Sequence, residues 1–157
     1  MIWTPHSTVA TIIEQDNKLL MVEEFSNDKR VFNQPAGHVD EHESVFTAAI
    51  RETLEETGWE VELQAYIGTY VYTAPENGVT YHRICFSAKP IRKVTDSLDH
   101  DIIAAHWMTR ADIQGLGDLI RSPLVLRCIE DYDQRPHLPL GYIYEHGSTL
   151  LPPSANK

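Results

Sequence analysis

GHVDEHESVFTAAIRETLEETGW, residues 37–59, holds most of what the chain states about its fold and chemistry. Arg51-Glu52 is followed by Glu55-Glu56 and Gly58, with Glu43 upstream and Gly37 opening the segment. Residues three and four apart share a helix face, so Glu52, Glu55 and Glu56 project together. Carboxylates placed this way repel one another unless positive charge sits among them, and a hard divalent cation is the usual remedy. Stepping by the helical increment of ~100° puts Val45, Ala48, Ala49 and the three glutamates on one side. Phe46, Ile50, Thr53 and Leu54 fall on the other. The pattern predicts a helix over about 43–57, with the second side packed into a core and the acids lying over alanines that leave room for metal and phosphate. Gly58 stands where a helix end favours a left-handed residue. The competing reading is a solvated acidic face with no ligand.

Composition narrows the field. A chain of 157 residues suits one domain and can bury a core without disulfide or metal staples. No apolar run approaches ~18 residues, which argues against a membrane span. MIWTPHSTVA at the N-terminus lacks the layout of a signal peptide, so a cytoplasmic protein is expected. Cys85 and Cys128 sit in apolar patterns and read as reduced packing residues. A formal charge of −10 argues against an extended nucleic-acid surface. It permits a small phosphorylated partner, because a bound cation inverts the local field.

Outward from the helix, STVATII and KLLMVEEF flank Asp16-Asn17 and predict a β-hairpin over 7–25. A polar loop is expected at 26–30, then an extended Val31-Phe32, with Pro35 keeping Gln34 out of helix. Residues 61–73 and 79–88 predict a second hairpin turning at Asn77-Gly78, with Ile84, Phe86 and Ala88 on one face and Tyr81, Arg83 and Cys85 on the other. A loop at 90–100, a strand at 102–108, a turn or helix near 111–116 and a helix at 123–132 follow. Ser122 is the expected N-cap of that last helix and Pro123 its first residue. GYIYEH is expected to be extended, and residues 151–154 to be a frayed tail. One long helix among mixed strands predicts an α/β protein with a mixed sheet.

With these residues in view, the segment resembles the Nudix box, G-x5-E-x7-R-E-U-x-E-E-x-G-U, where U is bulky and apolar. Gly37, Glu43, Arg51, Glu52, Glu55, Glu56 and Gly58 all fall in place. Thr53 and Trp59 depart from the two U positions, which bears on packing more than on chemistry. The resemblance implies a Nudix-like α/β/α sandwich and hydrolysis of a diphosphate linkage. It implies that Glu52, Glu55 and Glu56 carry Mg²⁺, or Mn²⁺, with the Gly37 carbonyl a further ligand. Glu43 and Arg51 would form a structural ion pair. Glu56 is the first candidate for activating water. Asp101, in a loop that also holds Asp96 and Asp99, is a second candidate as base or ligand.

The flanking stretches VEEF, FNQPAGH and RSPLV (residues 121–125) resemble a phosphatase subgroup of the family. That implies release of inorganic phosphate from nucleoside di- and triphosphates, or from thiamine pyrophosphate or its pyrimidine precursor diphosphate. The alternatives are a housecleaning or dinucleoside polyphosphate pyrophosphohydrolase, and a non-catalytic binding module, although such a module should have lost the box acids. Tyr72, sharing a strand face with Tyr70, offers a wall for a ring, and Gln34 an amide to read its edge. Arg30 and Arg83 offer charge to phosphate. His38 and His42 are four apart but lie in a loop without companion ligands, which argues against zinc.

Overall fold

Two pairs of left-handed residues set the first half of the chain. Asp16 and Asn17 have φ of 53° and 61°, and Asn27 and Asp28 have φ of 52° and 62°. Asn and Asp tolerate this region, and successive positive φ values make the tight turns that match strand twist. The first pair joins β1 (His6–Gln15) to β2 (Lys18–Ser26), as expected from the sequence, and the second joins β2 to β3 (Lys29–Asn33). The expected polar loop at 26–30 is therefore only a two-residue turn, because Lys29 and Arg30 pair with Ser26 and Phe25.

The computed structural model describes residues 1–150. After β3 come β4 (Ala36–His38), α1 (Val45–Thr57), β5 (Trp59–Thr73), β6 (Thr80–Lys93), β7 (Ile102–Met108), α2 (Arg110–Gln114) and α3 (Pro123–Gln134). A mixed sheet runs β4-β1-β6-β5, with β1 and β6 parallel and the other pairs antiparallel. A smaller antiparallel sheet runs β7-β2-β3. The two are joined where β1 and β2 pair beside their turn, at Glu14–Leu19 and Gln15–Lys18.

Strand alternation sends side chains to both faces. From β1, Val9 packs on α1 with Ala48, Ala49 and Phe86. Ala10 and Ile12 pack on α3 with Val125, Cys128 and Ile129. In β6, Phe86 faces α1 and Cys85 faces α3, the alternation read from the sequence. The result is the expected α/β/α sandwich around a mixed sheet. Cys85 and Cys128 are free and buried. No described helix is long and apolar enough to cross a membrane.

The face of α1 differs from expectation. Ala48 and Ala49 are fully buried and let the helix approach the sheet, so they provide no space beside the acids. Thr53 and Glu56 are buried with them. Thr53 is accommodated because its hydroxyl donates to the Ala49 carbonyl at 2.8 Å and accepts from Thr11 at 2.7 Å. Trp59 meets Trp107 edge-to-face at 5.6 Å. The helix begins at Val45, later than expected, because Ser44 is the N-cap.

Strand β6 runs through Pro90 to Lys93, into the expected loop. Its pairing with β1 ends at Ala88, so the proline meets β5 alone, at a register shift, where its missing N–H is tolerated. GYIYEH is not extended: Leu140–Tyr142 is a 3-10 turn. The expected tail at 151–154 lies outside the described residues. Ser122 caps α3 as read, accepting from Leu124 N at 3.3 Å.

Gly58 ends α1 with φ 76° and donates to the Leu54 carbonyl. A Cβ there would collide with the Thr95 carbonyl oxygen. Gly58→Ala should therefore cost at least the ~1–3 kcal/mol of a strained left-handed residue. Denaturant unfolding checks this, and a loss under ~0.5 kcal/mol, within the range of ordinary surface changes, would contradict it.

Candidate active site

Arg51 is the centre of the site. Its Nε and Nη2 donate to the two carboxylate oxygens of Glu43 at 2.6 and 2.9 Å, a two-point grip. Nη1 donates to Glu52 at 2.9 Å and to Glu55 at 3.1 Å, and Nη2 also reaches the His38 carbonyl at 3.0 Å. The Glu43–Arg51 pair read as structural is present, and Arg51 also orders two of the box acids. With the guanidinium against it, Glu43 is held below the usual carboxylate range.

Gly37 lies over Glu52 so closely that a Cβ would overlap the carboxyl group. The missing side chain lets the 36–38 strand cover the middle of α1. One turn further on, Glu56 is 8 % exposed and accepts from the Ala36 N–H at 2.9 Å. Burial, with the charges of Glu24, Glu52 and Asp99 added, pushes Glu56 up to about 9 against that hydrogen bond. Burial also raises Glu52, opposed by Arg51.

The N-terminus of α1 has a distant partner. Glu145 accepts from the Ser44 hydroxyl at 2.6 Å and from Val45 N at 2.9 Å. A carboxylate there satisfies an orphan amide and complements the helix dipole.

Oxygens of Glu52, Glu55 and Asp99 lie within 4.8 Å of one another. An all-oxygen anionic set suits a hard divalent cation, and the trio could hold one. The loop acid that reaches the glutamates is thus Asp99, whose N–H donates to the Glu55 carbonyl at 3.0 Å. Asp101, placed beside the box by sequence reasoning, is 65 % exposed and faces His100 at 3.1 Å. Its carbonyl accepts from Phe25 N at 3.0 Å, which ties it to β2.

Glu52 and Glu56 open into a cleft of 580 Å³ that Gly37, Tyr72, Tyr81 and Arg83 also line. Tyr72 stands where a ring-binding wall was expected. Arg83 is 7 % exposed and donates to Gln34 and Asn33 at 2.9 and 3.1 Å. Gln34 is not available to a ligand: it is 1 % exposed, accepts from Arg83 and donates to the Val125 carbonyl at 2.7 Å. Arg30 points elsewhere, paired with Glu23 at 2.7 Å and lying 5.6 Å over Phe32. His38 lines the cleft and meets His6 at 2.9 Å. Burial, then the charges of His6 and Arg121, holds it below the ordinary histidine range.

Sequence reasoning missed Asp99 as the convergent acid, Glu24 and Arg121 in the cleft wall, and Glu145 as a cap. Glu24 and Arg121 carried a signal in the VEEF and RSPLV stretches, and for Glu24 alternation adds that two adjacent acids in a strand point to opposite sides.

A family model described as NUDIX domain matches residues 4–128. The chain therefore belongs to the Nudix family, and it is a hydrolase. It is 36% identical over 141 residues to a protein of Escherichia coli (strain K12) named Phosphatase NudJ, a match covering 88% of this chain and 90% of that one. A NUDIX hydrolase from Nitrosomonas europaea superposes with a TM-score of 0.88 at 39% identity, over 91% of this chain and 98% of that one. An ADP-ribose pyrophosphatase from Streptococcus suis shares the fold, with a TM-score of 0.65 at 20% identity, over 86% of this chain and 96% of that one.

Glu56 has a consequence for stability. Without metal its folded value of about 9 lies above the 4.5 of an ordinary glutamate, so the native state holds the extra proton between them. Metal-free protein should therefore lose stability as pH rises through that window, by at most ~1.4 kcal/mol per pH unit from this group. Glu56→Gln keeps the acceptor for Ala36 and should flatten the decline. Thermal unfolding in chelator from pH 5 to 9 measures both, and equal slopes for the two proteins would contradict the assignment.

Proposed function

We propose that the protein is a Mg²⁺-dependent hydrolase of phosphoanhydride bonds in nucleoside di- and triphosphates or thiamine-type diphosphates, releasing inorganic phosphate. The observation that carries this reading is Glu52, which belongs both to the convergent acid trio and to the lining of the cleft. The similarity to Phosphatase NudJ supports the choice of phosphate as product.

Glu52, Glu55 and Asp99 would hold the cation, with the Gly37 carbonyl and Glu56 completing an oxygen set. A bound divalent cation supplies positive charge opposite phosphate oxygens and makes water more acidic. Arg51 keeps Glu52 and Glu55 aimed together, so little reorganisation is needed when substrate arrives. Glu56 is the proposed base: one oxygen is fixed by the Ala36 N–H, and the other would take the proton from the attacking water once the carboxyl is ionised. Tyr72 and Tyr81 would line the ring of the organic group. Arg83 serves the cleft by fixing Asn33 and Gln34 and so the course of the chain into Gly37.

A screen for phosphate release with Mg²⁺, across nucleotides and thiamine pyrophosphate, tests the reading. Chelator should abolish turnover and added Mg²⁺ restore it. Glu56→Gln should lower kcat on the order of 10²- to 10⁴-fold, the usual worth of a positioned base. Full activity in chelator, or pyrophosphate as the product, would overturn the proposal.

A further inference from the structure

Arg83, Lys29 and Arg121 are the basic side chains in the cleft lining, and they are not equivalent. The Arg83 guanidinium is buried and bound to Gln34 and Asn33. Lys29 stands at the exposed start of β3. Arg121 has a fixed backbone and an underused head. Its N–H donates to the Phe32 carbonyl at 2.9 Å, and the preceding Ile120 forms a β-bridge with Phe32. Nη1 donates to Glu24 at 2.7 Å, while Nε and Nη2 make no hydrogen bond among the described residues. The side chain is 42% exposed and that of Glu24 only 10%.

Glu24 is held from the opposite side. It lies at the bulge where β2 shifts register against β7, and such irregularities re-aim side chains beside binding sites. Among the described residues its side chain makes one hydrogen bond, through a single oxygen, and its charge adds to that around Glu56. Arg121 and Glu24 line the same cleft as Glu52, Glu56, Gly37 and His38.

We infer that Arg121 is the phosphate-receiving side chain of this cleft, and that Glu24 is a positioning residue that holds it ready and competes with the anion for it. The inference rests on the phosphoanhydride reading above. A guanidinium held by one N–H keeps two neighbouring donors, Nε and Nη2, for the forked grip that phosphate oxygens favour. Leaving Glu24 buried and unpaired is costly, so Arg121 keeps Nη1 on the carboxylate while Nε and Nη2 face the anion, whose charge Glu24 opposes.

Calorimetric titration of inorganic pyrophosphate in the presence of Mg²⁺ tests this on wild type, Arg121→Gln, Arg121→Lys, Glu24→Gln and the double variant Glu24→Gln/Arg121→Gln. Arg121→Gln should weaken binding about tenfold or more, the worth of one charge-assisted contact. Glu24→Gln should tighten binding when Arg121 is present and leave it unchanged in the Arg121→Gln background, since the cycle isolates their coupling. Substrate KM should move in the same directions, with kcat changed far less.

Binding by Arg121→Gln within about twofold of wild type would overturn the inference. So would an equal Glu24→Gln effect in both backgrounds, or no measurable pyrophosphate binding by wild type. Should Arg121→Gln fail to fold, Arg121→Lys decides: it keeps the charge but not the fork, and wild-type affinity there counts against the inference. Arg121-dependent binding without Mg²⁺-dependent phosphate release would sink the proposed function and leave this inference standing. Release with a KM indifferent to Arg121 would do the reverse.

Discussion

All five N–H donors of one guanidinium are engaged at the centre of this protein. Arg51 grips Glu43 at two points, reaches Glu52 and Glu55, and binds the His38 carbonyl. The loop that opens the motif and the helix that follows are thereby fixed to each other. Lysine, with three donors on a mobile point charge, could not bind five acceptors in one plane. Gly37 covering Glu52 and the Ala36 amide meeting Glu56 both depend on the loop being pinned there.

Around that tie the acids are graded by exposure. Glu56 is buried, Glu52 and Glu55 are partly buried, and Asp99 is exposed on its loop. The grading follows from which face of α1 meets the sheet, with Ala48 and Ala49 pressed against Val9 and Phe86. A carboxyl forced into the dry end keeps its proton unless a cation or a donor compensates, and one amide from Ala36 compensates only partly.

The rest of the molecule supplies what the motif cannot. The small sheet brings Glu24 to the cleft, and the segment before α3 brings Arg121 to meet it. The segment after α3 returns to place Glu145 on the first turn of α1. β5 and β6 contribute Tyr72 and Tyr81, which are paired across the ladder. A helix that carries the acids of the motif thus becomes one wall of a cleft whose other walls come from elements remote in sequence.

The sequence by itself determined the family through the Nudix box, the sandwich through that resemblance, and the acids of α1, because the motif and the element ends depend on short-range regularities. Helical spacing gathers Glu52, Glu55 and Glu56, strand alternation splits Phe86 from Cys85, and Gly58, Ser122 and Asp16-Asn17 mark ends and turns by their own conformational preferences. Only the tertiary structure decided which face of α1 was covered, so that alanines read as space for ligand became the seat of the helix. It decided that Gln34 and Arg30 turn to Val125 and Glu23, and that Asp99 rather than Asp101 reaches the glutamates. Those outcomes hang on contacts such as Arg83 with Gln34, 49 residues apart, and Glu145 with Val45, 100 apart. No local pattern encodes such a contact, because the partner is fixed by how the layers stack.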